Sequence, residues 1–464
     1  MRFTTTTLGC KVNQCDTTTL SKALISRGHE QVALGSGCDL CIINTCSVTA
    51  ESARKSRQAI SRIKKKEPTA KIAVCGCYSE LEPDEVKSLG VDYVSGTGDK
   101  KQLAIELEKQ GDGGSAFPPV GATVPVARPH RSHVPKKKHN PRPPAFSKKT
   151  RAFLKIQDGC NNYCAYCIIP YARGESRSED PKRLVEEAKE LKAQGYKEIV
   201  ITGIEISSYG KEKQGDRGVA FHEELAQLGQ VPQKAAPPSP CFSPCFPDLI
   251  TAISKATQTI RLRIGSLDPS ILTPDLCKKL AEIPTLCNHF HISLQSGCDE
   301  TLKRMGRKYK TEQVETAIKS LRKEFENCAI TADLIVGFPG ETDEEFEKTM
   351  SFIKKAKFSN IHIFPFSPRE RTKAATMQNQ IDKATTKDRA RKAKELTKQN
   401  ADEFIETQIG KTTEVLFEKQ KNGYSTGHAT NYLEVSVKGE LEKNTIHKVK
   451  LTGVEDGVLN GEKI

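Results

Sequence analysis

The sequence predicts an α/β protein with three folded parts, and three observations lead to this prediction. Short apolar strands alternate with amphipathic helices from residue 3 to residue 108 and again from 151 to 377, which is typical of parallel sheets covered by helices. From residue 409 onward, short alternating strands with turns at Asn422-Gly423 and Asp456-Gly457 indicate a small antiparallel β-barrel. A chain of 464 residues has the length of two or three domains.

Residues 1–110 are expected to form a parallel sheet of the flavodoxin-like or Rossmann-like type. Its predicted strands cover residues 3–8, 39–44, 71–74 and 92–94, and its predicted helices lie near 16–27, 50–65, 83–89 and 100–109. In such sheets the reactive edge lies at the carboxyl ends of the strands. Cys10, Cys46 and Cys77 each follow one of the first three strands. The strand order therefore predicts that these thiols can meet and ligate a metal cluster.

Four other cysteines in the same region keep an alternative open, because cysteine is often a buried small apolar residue. These are Cys15, Cys38, Cys41 and Cys75. The pair Cys38 and Cys41 even has the C-x2-C spacing. Spacing alone does not choose among the seven, and the strand-end argument excludes Cys41 and Cys75 only weakly, since both fall inside predicted strands.

Residues 111–149 are rich in Gly, Pro, Lys, Arg and His and show no periodicity. Such a composition cannot bury a core, so it predicts a linker that is extended where proline is dense. The basic run at 128–138 can contact phosphate, but a solvated linker is the favoured interpretation.

Cys160, Cys164 and Cys167 have the spacing C-x3-C-x2-C and follow the predicted strand at 152–156. Three thiolates on one tight loop can ligate three irons of a 4Fe-4S cluster, which leaves the fourth iron open for chemistry. Zinc is disfavoured, because it usually takes four protein ligands or histidines at their own spacing, and no histidine lies near this loop.

Residues 150–380 are expected to form a partial (β/α)6 barrel with its active site at the carboxyl ends of its strands. The predicted strands cover 152–156, 198–202, 260–264, 289–294, 330–336 and 360–366, and a helix is expected at 181–194. Turns containing glycine follow three of these strands, at Thr202-Gly203-Ile204-Glu205, at Gln295-Ser296-Gly297 and around Gly337. Each turn alone is more often just a strand-to-helix connection. A connecting helix is expected at 381–408, before the small barrel at 409–464.

The formal net charge of +14 and the pI near 9.0 point to a polyanionic partner, although a solvated basic surface is the alternative. The first ten residues lack the apolar core of a signal peptide. No apolar run approaches the roughly 18 residues that span a bilayer. We therefore expect a cytoplasmic protein without a membrane partner, whose sixteen cysteines are reduced or bound to metal.

The cysteine loop, with an aromatic residue before its third cysteine, resembles the signature of the radical S-adenosylmethionine (SAM) superfamily. The resemblance implies that SAM chelates the open iron and that an electron from the cluster cleaves it to a 5′-deoxyadenosyl radical. It also implies that the stretch ending at Glu205 meets the SAM amino group and that the stretch around Gly337 lies along adenine. The SAM-binding residues so implied are Tyr166, Thr202, Gly203, Glu205, Gln295 and Gly337.

The order of four motifs along the chain is similar to that of the methylthiotransferases, which are radical SAM enzymes with a second 4Fe-4S cluster in an amino-terminal domain. These motifs are Leu-Gly-Cys-Lys-Val-Asn-Gln at 8–14, Asn-Thr-Cys at 44–46, Gly-Cys-Tyr at 76–78 and the cysteine loop. The resemblance implies that Cys10, Cys46 and Cys77 ligate the second cluster, and that the carboxyl-terminal barrel is a TRAM domain that holds RNA. Because the family has a short connection at residues 211–246, that stretch is expected to be a surface insertion; a metal clip of Cys241 and Cys245 is a weak alternative.

Residues 11–14 and 202–210 look like those of the enzymes that methylthiolate N6-threonylcarbamoyladenosine at position 37 of tRNA. The implied partners are the tRNA anticodon loop and an electron donor such as flavodoxin or ferredoxin, and the enzyme is expected to be a monomer. The alternatives are a methylthiotransferase of isopentenyladenosine-37 or of a ribosomal-protein aspartate, and a non-catalytic iron-sulfur RNA-binding protein. The chain departs from the family at Glu175, where Pro is usual, and at Arg371, where Gly is usual.

Overall fold

The computed structural model describes residues 1–111, 150–211 and 245–464. The predicted linker and nearly all of the predicted insertion, including Cys241, lie outside these residues. The chain divides into two compact units, one of Met1–Ser47 with Glu51–Lys149 and the other of Val48–Ala50 with Thr150–Ile464. Within the described ranges, no helix combines the length and the apolarity needed to cross a membrane.

The first unit contains a five-stranded sheet in which all strand pairs are parallel. Its strands are β1 (Arg2–Thr7), β2 (Glu30–Gln31), β3 (Leu40–Thr45), β4 (Lys71–Gly76) and β5 (Tyr93–Val94). The order β2-β1-β3-β4-β5 is that of flavodoxin-like folds, so the predicted fold class is confirmed. The edge strand β2 was not predicted, because its two residues are polar and exposed.

Helices cover both faces of this sheet. They are α1 (Lys11–Ser26), α2 (Ala50–Lys66), α3 (Cys77–Leu81), α4 (Pro83–Ser88) and α5 (Lys100–Gly111). Leu20 of α1 and Leu103 of α5 pack on one face, whereas Ile60 of α2 and Val86 of α4 pack on the other. One helix begins earlier than the sequence predicts, because α1 starts directly after Cys10. The short helix α3, which starts at Cys77 itself, was not predicted.

The second unit begins with an arc of parallel strands. These are β6 (Arg151–Lys155), β9 (Glu198–Thr202), β10 (Arg261–Ile264), β11 (Ser266–Leu267), β12 (His289–Gln295), β13 (Ala329–Val336) and β14 (Asn360–Pro365); the short strands β7 (Gln157–Asp158) and β8 (Arg177–Ser178) pair with each other beside it. Only Gly265 separates β10, which pairs with β9, from β11, which pairs with β12. The arc therefore has six strand positions, as predicted for a partial barrel.

Eight helices accompany this arc in the described residues, and all except the first contribute to the largest hydrophobic core found there. They are α6 (Ile169–Arg173), α7 (Pro181–Ala193), α8 (Cys245–Thr257), α9 (Pro274–Ala281), α10 (Asp299–Arg304), α11 (Thr311–Glu324), α12 (Asp343–Ala356) and α13 (Lys383–Glu406). Alternate strand residues such as Phe290, Ala332 and Ile361 point into that core. The residues between them therefore face the inside of the arc.

The carboxyl-terminal part is a closed five-stranded barrel, as predicted. Its strands are β15 (Thr412–Lys421), β16 (Tyr424–Ala429), β17 (Glu434–Lys438), β18 (Ile446–Glu455) and β19 (Val458–Lys463). The expectation that all pairs are antiparallel needs one correction, because β17 pairs with β19 in parallel. Asn422 and Asp456 have φ of 53° and 49°, so the predicted Asn-Gly and Asp-Gly turns both form hairpins of the type that needs positive φ.

Glu198 and two arginines link the carboxyl-terminal barrel to the amino ends of the arc strands. The Glu198 side chain is fully buried and accepts hydrogen bonds from Arg261 and Arg263, which also donate to the carbonyl oxygens of His428 and Thr430 in the barrel. Burial alone would raise the pKa of Glu198, but the Arg263 and Arg261 guanidinium groups hold it well below its usual range. The carboxylate therefore stays charged and fixes both arginines.

Candidate functional site

Cys10, Cys46 and Cys77 lie at one edge of the amino-terminal sheet, at the ends of three adjacent strands. Thr45 and Gly76 are register partners at the ends of β3 and β4, and Cys46 and Cys77 directly follow them in the chain. On the other side of β3, the Leu8 N–H donates to the Asn44 carbonyl at 2.8 Å, two residues before Cys10. This edge includes the point between β1 and β3 where the strand order reverses, which is where such sheets bind ligands.

Gly9 and Asn13 hold the first two of these strand ends together. Gly9 has φ of 98°, and a Cβ placed on it would lie 2.8 Å from the Cys46 sulfur, so the backbone approaches Cys46 as only glycine allows. The Asn13 amide donates to the carbonyl oxygens of Leu8 and Thr45 at 2.8 and 3.0 Å. Gly9 and Asn13 thus hold the loops that carry Cys10 and Cys46 close to each other.

The remaining cysteines of this unit pack inside the fold. Cys75 belongs to the core on the α1 face of the sheet, and Cys38 and Cys41 belong to the core on the α2 face, where their sulfurs are 3.4 Å apart. Cys15 is buried within α1. The alternative interpretation as small apolar residues fits these four. Within the triplet, Cys10 is exposed at the start of α1, whereas Cys46 and Cys77 are buried at the strand ends.

The second triplet lies on the loop between β7 and α6, at the carboxyl end of the β6 position. The loop is held at its ends and its middle: the Cys160 N–H donates to the Gly174 carbonyl, the Ala165 N–H to the Met305 carbonyl, and the Cys167 N–H to the Cys164 carbonyl. Tyr163 adopts φ of 47°, which is uncommon for a residue other than glycine. The tight spacing seen in the sequence therefore corresponds to a tightly curved loop.

Burial shapes the chemistry of these thiols. It raises the pKa of Cys160 to about 11 and that of Cys167 to about 12. Both are neutral thiols at pH 7 in the metal-free chain, so metal binding would displace their protons. A partly buried set of three thiols suits a soft, thiolate-binding metal.

Arg307 is a residue of this site that sequence reasoning missed. Its guanidinium nitrogens lie 3.2 Å from the Cys164 sulfur and 2.9 Å from an Asp268 carboxylate oxygen, and its side chain is 7% exposed. A buried cation beside the triplet favours the thiolate form that ligates metal. Arg307 follows α10, 140 residues after Cys167, and no spacing in the sequence links the two.

Glu205 lies near Arg307 and Asp268 and interacts electrostatically with both. Burial raises its pKa, the Asp268 carboxylate raises it further, and Arg307 opposes both. The Asn162 amide of the cysteine loop lies 3.4 Å from one Glu205 oxygen, and the Glu205 N–H donates to the Gln157 side chain at 2.8 Å. The turn after β9 is therefore tied directly to the cysteine loop.

The other predicted SAM residues lie at the ends of β9, β12 and β13 or in the cysteine loop. Thr202 ends β9 and is buried, and a Cβ on Gly203 would meet Gln157 and Ile206 at 3.0 Å or less. Gln295 ends β12 with φ of 60°. The Gly337 N–H donates to the Glu341 carboxylate at 2.7 Å, while its neighbour Phe338 meets the ring of Tyr166 edge to face with centroids 6.5 Å apart.

The donor sets fit iron-sulfur clusters better than a single metal ion. In the described part of the chain, the one group of three His, Cys, Asp or Glu ligand atoms that converges within 4.8 Å is His291, Asp333 and His362, so neither cysteine triplet does. A mononuclear site with metal-sulfur bonds of about 2.3 Å needs sulfurs closer than that. Three thiolates that bind separate irons of one cluster do not need to lie within 4.8 Å of one another.

Two family profiles match the chain: the radical SAM superfamily at residues 154–353, and uncharacterized protein family UPF0004 at residues 2–96. The chain is 34% identical to the threonylcarbamoyladenosine tRNA methylthiotransferase MtaB of Bacillus subtilis, over 96% of this chain and 92% of that one. It is 34% identical to MtaB of Thermotoga maritima, over 98% and 95% of the two chains. A tRNA-2-methylthio-N(6)-dimethylallyladenosine synthase of Clostridium novyi is 30% identical, over 100% and 96%.

A similar fold occurs in the radical SAM methyltransferase TsrM of Kitasatospora setae, with a TM-score of 0.53 over 81% of this chain and 77% of that one. The two sequences are 16% identical, so this likeness concerns the fold alone.

Proposed function

The chain belongs to the radical SAM methylthiotransferases, and on this premise we propose that it converts N6-threonylcarbamoyladenosine at position 37 of tRNA to the 2-methylthio derivative. The observation that carries the proposal is the 34% identity to threonylcarbamoyladenosine tRNA methylthiotransferases over nearly the whole of both chains. Relatives that are named for dimethylallyladenosine are 30–31% identical to this chain. Isopentenyladenosine at position 37 is therefore the alternative substrate that an experiment must exclude.

Members of this family use SAM and 4Fe-4S clusters. We assign one cluster to Cys160, Cys164 and Cys167 and the second to Cys10, Cys46 and Cys77. When bound, these groups supply a SAM-derived radical that takes hydrogen from C2 of the adenine, and sulfur that a second SAM methylates. Their thiolate ligands suit both roles, because potential and reactivity follow the ligands, hydrogen bonds and exposure of a cluster.

The protein side chains position the reactants in this proposal. Glu205 faces the cysteine loop through Asn162 and is suited to accept hydrogen bonds from the SAM amino group. Arg307 balances the negative charge of the thiolates and of Asp268. Tyr166 packs edge to face against the buried Phe338, the residue after Gly337, and this contact ties the Gly337 turn, which we assign to the adenine, to the cysteine loop.

We assign RNA binding to the carboxyl-terminal barrel as a TRAM-like domain, with the tRNA anticodon loop as its partner. Nucleotide 37 of tRNA lies in a single-stranded loop, so its base is reachable without opening a duplex. Tyr424 is 46% exposed on this barrel and offers a surface on which a base can stack. We further propose that the enzyme works in the cytoplasm as a monomer and takes electrons from a flavodoxin or ferredoxin.

The test uses the cluster-loaded chain, SAM, a chemical reductant and two tRNA substrates, one with threonylcarbamoyladenosine and one with isopentenyladenosine at position 37. Nucleoside mass spectrometry should find the methylthio product of the first substrate and at least tenfold less of the second. Cys164→Ala is the inactive control. Equal or greater conversion of the isopentenyl substrate would refute the choice of substrate, and no conversion of either tRNA by a chain that cleaves SAM would refute the tRNA reaction.

A further inference from the structure

The inner face of the arc carries a cluster of metal-binding side chains that belongs to neither cysteine triplet. His291 lies on β12, Asp333 on β13 and His362 on β14, and one ligand atom from each falls within 4.8 Å of the other two. We propose that these three residues bind one divalent transition-metal ion, such as Zn²⁺.

The register of the sheet brings the three residues together on a rigid scaffold. Asp333 and His362 are register partners on adjacent parallel strands, and His291 pairs with Thr331, two residues before Asp333. Their neighbours Ile292, Ala332 and Ile361 point into the core under the helices. The three side chains therefore share the opposite, inner face, where the strands hold their Cβ atoms at fixed spacing.

The contacts suit metal ligation. The His291 Nε2 atom is 3.1 Å from an Asp333 oxygen, and the rings of His291 and His362 lie 5.7 Å apart at 43°. On its other side, His291 Nδ1 is 2.8 Å from the Thr331 hydroxyl. Ligating histidines commonly bond through their second nitrogen in this way, which fixes the ring orientation and leaves the first nitrogen for the metal.

Asp333 supplies the negative charge of this donor set. Asp333 is 27% exposed at its side chain, and within the described ranges no lysine or arginine pairs with it. Two imidazoles and one carboxylate on one face form a donor set that divalent iron, zinc and related metals accept, with further coordination positions open toward the inside of the arc. The rival explanation is a hydrogen-bonded His291–Asp333 pair with His362 only nearby.

The proposal is tested on the full-length, cluster-loaded chain by equilibrium dialysis against Zn²⁺ under anaerobic conditions, with zinc counted by mass spectrometry. Wild type should hold about one zinc ion per chain more than His362→Gln and Asp333→Asn. His447→Gln, which removes a histidine from the carboxyl-terminal barrel, is the matched control and should bind as wild type does. Comparison with wild type removes any zinc held by unfilled cysteine sites.

His362 is exposed, so its substitution should leave the fold intact, and a circular dichroism melt checks this directly. Zinc should raise the unfolding temperature of wild type and of His447→Gln but not that of His362→Gln, because a ligand that binds only the native state stabilises it. Thr331→Val should weaken zinc binding about 10- to 100-fold. Equal zinc content and equal melting shifts in wild type, His362→Gln and Asp333→Asn would overturn the proposal, whatever the activity toward tRNA.

Discussion

The loop with Cys160, Cys164 and Cys167 spans eight residues, whereas Cys10, Cys46 and Cys77 lie on three segments that sheet formation must bring together. The loop triplet has a charged neighbour in Arg307, which is held by the arc. Beside the strand-end triplet, the uncharged Asn13 side chain hydrogen-bonds to two strand ends, and the Gly9 backbone lies close to Cys46. The first triplet therefore depends on local chain geometry and on electrostatics, and the second depends on packing between strands.

The largest effect is expected from removing either triplet. The chain with Cys10, Cys46 and Cys77 changed to Ala should hold about four irons instead of about eight, and should still cleave SAM without forming the methylthio product. The Cys160, Cys164 and Cys167 triple variant should also hold about four irons but lose SAM cleavage.

The matched control for the strand-end variant changes Cys15, Cys38 and Cys75 to Ala, which removes three thiols that the fold buries. It should keep about eight irons. A loss of iron in this control equal to that in the strand-end variant would contradict the assignment of the second cluster.

Gly9→Ala tests whether close packing holds the strand-end triplet. A Cβ at residue 9 would overlap Cys46, and the residue would keep its positive φ, so we expect a loss of about 3 kcal/mol in the free energy of unfolding together with fewer irons. Gly28→Ala is the control, because Gly28 has φ of 89° but a Cβ added to it would meet no atom within 4 Å, and it should cost about 1 kcal/mol without iron loss. Similar iron contents in the two variants would show that contact with Cys46 is unimportant.

Arg307→Met tests the electrostatic side of the comparison. Removing a buried positive charge close to Cys164 should make the potential of the loop-bound cluster more negative, on the order of 100 mV, because the reduced cluster carries the extra negative charge. A redox titration followed by electron paramagnetic resonance measures the shift. Arg304→Met, which removes a guanidinium paired with Glu345, should leave the potential in place, and an equal shift in both variants would contradict a specific role of Arg307.

The smallest effect is expected at Arg371, where the family usually has Gly. Arg371 adopts φ of 68° in the segment that leads to Ala374, whose N–H donates to the Ala165 carbonyl of the cysteine loop. Arg371→Gly should relieve the backbone strain and raise the free energy of unfolding by about 0.5–1 kcal/mol. Urea unfolding measures this gain, and Arg369→Gly, two residues earlier, should instead lower stability.

The fold class and the strand positions were predictable because alternation of apolar residues is a local signal. Each predicted strand of the arc agrees with the structure to within about one residue at either end, and the helix at 181–194 ends one residue earlier than predicted. The edge strand β2 was missed, since its two residues are polar and exposed. The start of α1 at Lys11 was missed because no capping side chain marks it.

The type of chemistry follows from the sequence alone, since the C-x3-C-x2-C spacing places three thiols within one loop wherever the loop lies. Which other residues join these thiols depends on the tertiary structure. Arg307 reaches Cys164 across 143 residues, Asn13 bridges the ends of two strands, and His291, Asp333 and His362 meet across three strands. The physical reason is that such contacts depend on strand order and register, which place residues side by side that are far apart along the chain.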